Sequence, residues 1–296
     1  MRKIGFLFLL LSFHLNAQRV FLKGKVLDSN TQEPVVYANI SFLSSTDGIS
    51  TLENGSYYLS VLKKNLKSKV HISCLNYKDT IVNATDLIDA TIFMQPKIEV
   101  LQEVVISNTK QKQVELDPVK GSIISMHSKG MRMVAKYFPN TKKNKCCSYL
   151  SKVTIEFPRR VNKKSKFRFR IFSVEKNTGK PLEDLLLKNI PVTITENQKQ
   201  VELDISNQYL EMPKEGFFVA FEKLFIPYNK YGAKNEFGDD DKGFYSPIIG
   251  VTKSRFYKRD VSRNYIYTNG KWLELPFTKR GRLRGYVPAI SVTLTN

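Results

Sequence analysis

Thr51-Leu52-Glu53-Asn54-Gly55-Ser56-Tyr57-Tyr58-Leu59-Ser60-Val61 is the stretch that decides the fold. Asn54 and Gly55 both tolerate positive φ, which the tightest hairpin turns require, and a β-prone run from Tyr57 to Val61 follows at once. Toward the N-terminus, Val20 to Leu27 reads as a first strand. Asp28-Ser29-Asn30-Thr31 then turns it through side chains that hydrogen-bond their own backbone. Pro34 restarts an extended segment in which Val36, Ala38, Ile40 and Phe42 share one face. Toward the C-terminus come Val70 to Leu75, Tyr77 to Val82 and Thr91 to Met94, so that about seven short strands fit within residues 18–95. No apolar period of 3.6 residues is sustained over a dozen positions, and the expectation is a seven-stranded Greek-key sandwich.

Residues 96–120 differ in texture. A brief hydrophobic stretch, Val100 to Ile106, lies among Gln, Lys and Glu with Pro118 behind it, which reads as a linker carrying one strand-like segment. Residues 121–296 return to strand chemistry after a short helix expected at Met131 to Tyr137. Val153, Ile155 and Phe157 alternate with polar residues; so do Phe167, Phe169 and Ile171, Val201 and Leu203, and Phe217, Val219 and Phe221. Each run predicts one face on a core and one toward solvent. Ile290, Val292 and Leu294 supply a last strand, suited to pairing with the first strand of the same sandwich. The fold class is thus all-β, with two sandwiches, the second of jelly-roll type.

Met1-Arg2-Lys3, the apolar run Ile4 to Phe13 and the small residue Ala17 make residues 1–17 a secretory signal peptide, with cleavage expected after Ala17. The apolar run is short of the roughly 20 residues a spanning helix needs, and no cysteine follows it to carry a lipid. Export to the periplasm or the outer membrane is the expected location. The formal charge of +20 is uneven: residues 1–95 hold 10 Lys/Arg and 7 Asp/Glu, leaving 37 and 20, or +17, beyond. Such a field draws anionic partners. In an exported protein these are anionic glycans such as lipopolysaccharide, lipid headgroups at a peripheral membrane contact, or another envelope protein, rather than nucleic acid. The plainer alternative is a basic surface that keeps the protein solvated. Cys74, Cys146 and Cys147 are too few for a disulfide framework, although a bridge from Cys74 to either of the others stays open.

Gly24-Lys25-Val26-Leu27-Asp28, then Pro34, Ala38, Asn39 and Ile40, then Gly48, Thr51, Asn54, Gly55, Tyr57 and Leu59 resemble the carboxypeptidase regulatory-like family. The continuation Ile72-Ser73-Cys74-Leu75-Asn76-Tyr77 fits as well, with Asn76 where the family usually has Gly. The resemblance implies a transthyretin-like, non-catalytic envelope module and carries no site residues. Leu101-Gln102-Glu103-Val104-Val105-Ile106 is similar to the segment that joins this domain to the plug of TonB-dependent receptors, but the chain lacks room for such a receptor's barrel of about 22 strands. More weakly, Phe167 to Phe172, Thr178-Gly179-Lys180-Pro181, Val201 to Ile205 and Gly216 to Ala220 resemble jelly-roll domains of exported surface proteins. That resemblance implies adhesion or carbohydrate display.

Enzyme chemistries fail on their residues. A zinc hydrolase needs three ligands at close spacing, and past the leader only His71 and His127 remain. No Gly-x-Ser-x-Gly elbow or phosphate-cradling loop occurs, and Cys146 and Cys147, though beside Lys142, Lys143 and Lys145, have no evident base. No cofactor is expected, with one opening: Glu236, Asp239, Asp240 and Asp241 form an acidic loop suited either to Ca²⁺ or to solvent. For binding, Tyr228, Tyr231, Phe244, Tyr245 and Trp272 offer rings that stack on sugars or pack in a core. Arg159, Arg160, Arg282 and Arg284 offer cations that flank an anion-binding face or aid solubility. The expected function is a non-enzymatic envelope protein for binding, adhesion or outer-membrane accessory work. The alternative is a glycan-active accessory enzyme using two carboxylates in its C-terminal domain.

Overall fold

The structure, a computed structural model, describes residues 18–97, 112–119, 123–126, 130–158, 163–231, 244–253, 263–275 and 286–296. The chain is all-β and divides into two compact units, Met1–Lys97 and Ile98–Asn296.

The first unit is a sandwich of two sheets. One has the order β4 (Ser56–Leu62), β1 (Arg19–Asp28), β7 (Ile88–Met94); the other runs β3 (Gly48–Ser50), β2 (Asn39–Phe42), β5 (Lys69–Ser73), β6 (Thr80–Asn83). Strand β1 pairs antiparallel with β4 and parallel with β7. Alternation sends Leu22 and Val26 inward, where they meet Ile40, Phe42, Tyr57, Val61, Val70 and Ile72 in one core. Each such aliphatic or aromatic side chain contributes about 1.5–3 kcal/mol by leaving water.

Local chemistry holds the register. Asp28 Oδ1 accepts from the amides of Asn30 at 2.7 Å and Thr31 at 3.1 Å, and Tyr77 donates to Oδ2 at 2.9 Å. These bonds hold the Asp28 carboxyl below its ordinary range against a smaller opposing effect of burial. Gly55 has φ +74° and Asn54 Oδ1 accepts from the Ser56 amide at 3.0 Å, so the chain turns here, but Asn54 keeps a negative φ and the turn carries the chain from β3 of one sheet to β4 of the other instead of closing the expected hairpin. Gly24 is needed for space: a Cβ there would lie 1.9 Å from the Ala90 carbonyl oxygen.

The second unit is built on a seven-stranded sheet ordered β13 (Pro181–Asp184), β12 (Ser165–Val174), β16 (Phe217–Lys223), β10 (Met133–Phe138), β20 (Asn264–Thr268), β21 (Lys271–Glu274), with β14 (Pro191–Ile194) also on β12. A four-stranded sheet follows the order β15 (Gln200–Asp204), β11 (Tyr149–Glu156), β23 (Ile290–Thr295), β8 (Gln113–Leu116). A third has β22 (Tyr286–Pro288), β19 (Gly250–Lys253) and β9 (Ile123–Ser125). A two-stranded ribbon pairs β17 (Lys230–Tyr231) with β18 (Phe244–Tyr245).

Phe157, just past β11, meets Phe167 and Phe221 edge-on at 5.8 and 6.4 Å, and Lys136 of β10 donates to the Ile290 carbonyl of β23 at 2.5 Å. The two larger sheets therefore face each other across a core. Lys136 is buried, which pushes its ammonium pKa down, and Asp117 at 2.7 Å opposes that shift. The last strand does pair with β11, whose Val153 and Ile155 open the alternating runs of this unit, and on its other side with β8. Between β22 and β23, the Ala289 amide donates to Gly250 O and its carbonyl accepts from Glu156 N, both at 2.8 Å, so the chain passes from one sheet to the next without an orphaned polar group.

Three further expectations change. Residues 131–137 are not a helix: Met133–Phe138 is a strand hydrogen-bonded on both sides, with Met133, Val134, Ala135 and Lys136 all buried. A strand covered on both faces loses period-two alternation, which is what made this run look helical. The span 96–120 is not linker throughout, because Gln113–Leu116 is a sheet strand, while Val100 to Ile106 lies outside the described residues. The polar face of β12 is not turned to solvent either, since Arg168 is 0% and Arg170 6% exposed.

Candidate functional site

The ribbon β17/β18 gathers four of the five aromatics singled out in the sequence. Register places Tyr231 opposite Phe244 and Lys230 opposite Tyr245. The Tyr231 and Phe244 rings lie 6.0 Å apart, and Tyr245 packs at 5.0 Å on Phe225. Tyr228 stands one short turn earlier, at Pro227–Asn229, with the Lys166 ammonium 5.6 Å from its ring centroid. Phe244 is 61% and Tyr228 48% exposed, so large apolar rings meet water here with a cation beside them. Burial raises the Tyr231 phenol pKa, so it stays a neutral donor at physiological pH.

The base of this ribbon is fixed by two buried polar residues. Asn229 donates to the carbonyls of Lys166 at 2.6 Å and Leu224 at 2.8 Å and accepts from the Lys166 amide at 2.7 Å. The Ser246 amide donates to Asn229 O at 2.9 Å, and Ser246 Oγ accepts from the Lys163 amide at 3.1 Å. Both ribbon strands are thereby pinned to the start of β12, which brings the Lys166 ammonium to the site, while the Lys163 ammonium pairs with Glu196 at 2.8 Å. Behind the rings, the Arg132 guanidinium sits 4.1 Å from the Phe225 centroid. Burial, with Arg132 adding repulsion, pushes the Lys223 pKa down to about 8.

Trp272 is not brought to this ribbon. It packs on Tyr267 at 5.1 Å and Phe172 at 5.4 Å, in a ladder with Phe218 and Tyr265 on one face of the seven-stranded sheet. The same face holds a buried charge cluster: Arg168 donates to both carboxylate oxygens of Glu222 at 2.6 and 2.9 Å, and Arg170 pairs with Asp184. Burial opposes ionisation of Glu222, but Arg168, Arg170 and Arg132 together hold its pKa below the ordinary value.

Carboxylates lie elsewhere, on the outward face of the four-stranded sheet. Glu115, Glu156, Glu202 and Lys152 line a shallow groove of about 620 Å³ with Gln113, Thr154, Ser291 and Thr293. Burial and the neighbouring Glu115 raise the Glu156 pKa, Ser291 donates to Glu115 at 2.9 Å, and Lys152 bridges to Glu202 at 3.0 Å. No aromatic residue lines this groove.

Of the other expected site residues, Arg159, Arg160, Arg282, Arg284, Glu236, Asp239, Asp240 and Asp241 lie outside the described residues, as do His127 and the leader at 1–17. His71 is 7% exposed, with Nε2 at 3.0 Å from Asp79, and has a structural setting. Among the described residues no group of three or more His, Cys, Asp or Glu is placed to hold a metal, and no helix is long and apolar enough to cross a membrane. The pins Asn229 and Ser246 were not legible in sequence, because their partners are 63 and 83 residues away.

The first unit therefore belongs to the class of small β-sandwiches. Residues 22–106, under a third of the chain, match the model of the CarboxypepD_reg-like domain, the family expected from the residues above. No catalytic family is indicated. No curated protein matches the chain.

Proposed function

We propose that the protein is an exported, non-enzymatic binding protein of the cell envelope, whose C-terminal unit takes hold of an anionic glycan, lipopolysaccharide saccharide being the leading class. The observation that carries the reading is the ribbon. Exposed Phe244 shares one face of the ribbon with Tyr231, and exposed Tyr228 stands beside the Lys166 ammonium, on a base pinned by Asn229. Sugar rings present C–H faces that stack on aromatic rings, and acidic substituents meet the ammonium groups; the protein's overall +20 charge favours the encounter.

A two-carboxylate glycosidase reading finds Glu115 and Glu156 close enough to influence each other, but in a groove without aromatic lining. Rings that would hold a sugar and acids that would cleave it are thus on different surfaces among the described residues, which favours binding without cleavage. Titration of the full chain with an acidic polysaccharide and a neutral one of equal length tests the proposal. Preference for the acidic chain that weakens steeply with salt is expected. Equal affinity for both would overturn it, and release of shorter saccharides would establish the enzyme reading.

A further inference from the structure

The second unit carries a feature that neither the ribbon nor the core uses. Cys146 and Cys147 are adjacent, one exposed and the other buried, and their sulfurs lie 2.7 Å apart. Most neighbouring residues in extended chain send their side chains to opposite sides. Here the turn after Lys142–Asn144 folds both onto one side, with the Cys147 amide donating to Asn144 O at 2.9 Å and Asn144 itself buried and donating to Pro139 O at 3.2 Å. The backbone thus presents the two thiols to each other before any bond joins them.

We propose that Cys146 and Cys147 form a redox-convertible vicinal dithiol, a site of exchange with low-molecular-weight disulfides. The Cys146 thiolate, reached from solvent, attacks the incoming disulfide, forming a mixed disulfide and expelling one thiolate. The Cys147 sulfur then attacks Cys146 Sγ, giving up its proton to the leaving thiolate and expelling the second small thiol. Two protein thiols are oxidised by two electrons, and one small disulfide becomes two thiols.

Burial and Cys146 raise the Cys147 pKa to about 11, so Cys147 is a poor first attacker and is suited to the second, intramolecular step. Oxidation also leaves the surroundings satisfied. The Cys147 thiol points at Lys112 O at 3.6 Å, and that carbonyl keeps a second donor, the Asn296 amide at 3.3 Å, once the S–H is gone. Because a ring closed by adjacent residues is strained, the bond is readily reduced, as befits a labile pair rather than a structural one.

The test is to equilibrate the reduced full-length protein with oxidised glutathione and to measure free thiols, intact mass and peptide linkage. The expected result is a fall from three free thiols to one, a loss of two hydrogens with no glutathione retained, and a Cys146–Cys147 link reversed by mild reductant. In Cys147→Ser the first step proceeds without the second, so glutathione stays on Cys146; Cys146→Ser keeps both thiols. Three thiols persisting in the wild-type chain, a stable glutathione adduct on it, or a bridge to Cys74 would each overturn the proposal.

Discussion

Replacing Glu222 by Gln keeps the shape of a fully buried side chain and removes only its charge. In the native unit Arg132, Arg168 and Arg170 share Glu222 and Asp184, so three buried cations face two carboxylates. The amide would leave three cations against one, and would turn an N–H donor toward the Arg168 guanidinium, which now makes bonds of 2.6 and 2.9 Å. Removing one partner of a buried, hydrogen-bonded ion pair costs about 3–5 kcal/mol. For a unit of this size a loss of 1 kcal/mol lowers Tm by about 2–4 °C, so a fall of about 6–20 °C is expected. The single tryptophan, Trp272, lies in the second unit and packs against Phe172 of β12, the strand that carries Arg168 and Arg170, so its fluorescence follows that unit's melting in the intact protein. Arg168→Met with Glu222→Leu should be less damaging than Glu222→Gln alone, because the double change removes a cation together with the anion. A Glu222→Gln protein melting within 2 °C of wild type would refute this account of the cluster.

Further outcomes follow from the same geometry. Lys223, with its pKa pushed down to about 8 in the folded state and near 10.5 when unfolded, binds more protons unfolded across that window. Stability of the second unit should therefore rise with pH from about 8 to 10.5, by up to about 3 kcal/mol, and Lys223→Met should flatten that rise in Trp272-monitored urea titrations. Asn229→Ala removes three hydrogen bonds and leaves buried partners of the Lys166 and Leu224 backbone unmet, a loss of about 2–4 kcal/mol by the same titration, with glycan binding lost at temperatures where the unit stays folded. Gly24→Ala drives a methyl group onto the Ala90 carbonyl and should cost the first unit about 1–3 kcal/mol, visible as faster amide exchange in β1 and β7 while the Trp272 transition stays in place.

The first unit was legible because its determinants are local. Asp28 turning its own backbone, Asn54-Gly55 turning the chain from one sheet to the other and the alternation of Leu22 and Val26 each act within a few residues, and the structure uses each of them. Reading failed where strands are covered on both sides. Met133–Phe138 lost the alternation that marks a strand, and Arg168 reads as a solvent-facing residue until Glu222, 54 positions later, is seen to neutralise it. The candidate site was half legible for a related reason. Tyr228, Tyr231, Phe244 and Tyr245 crowd one short stretch of sequence, whereas Trp272 shares only its residue type with them. Its side chain belongs to the ladder with Phe172 and Tyr267. What sets the ribbon's position is Asn229 and Ser246, ordinary residues whose role comes from distant backbone partners.

The central claim is that the exposed rings and cations of the ribbon hold an anionic glycan. Calorimetric titration of lipopolysaccharide saccharide into wild-type protein and into a Tyr228→Ala, Tyr231→Ala, Phe244→Ala variant tests it most directly. Stacking worth about 1–2 kcal/mol per ring by analogy with base–aromatic stacking predicts at least a hundredfold weaker binding with a Trp272 melting transition close to wild type. Undiminished affinity in a folded variant would contradict the account.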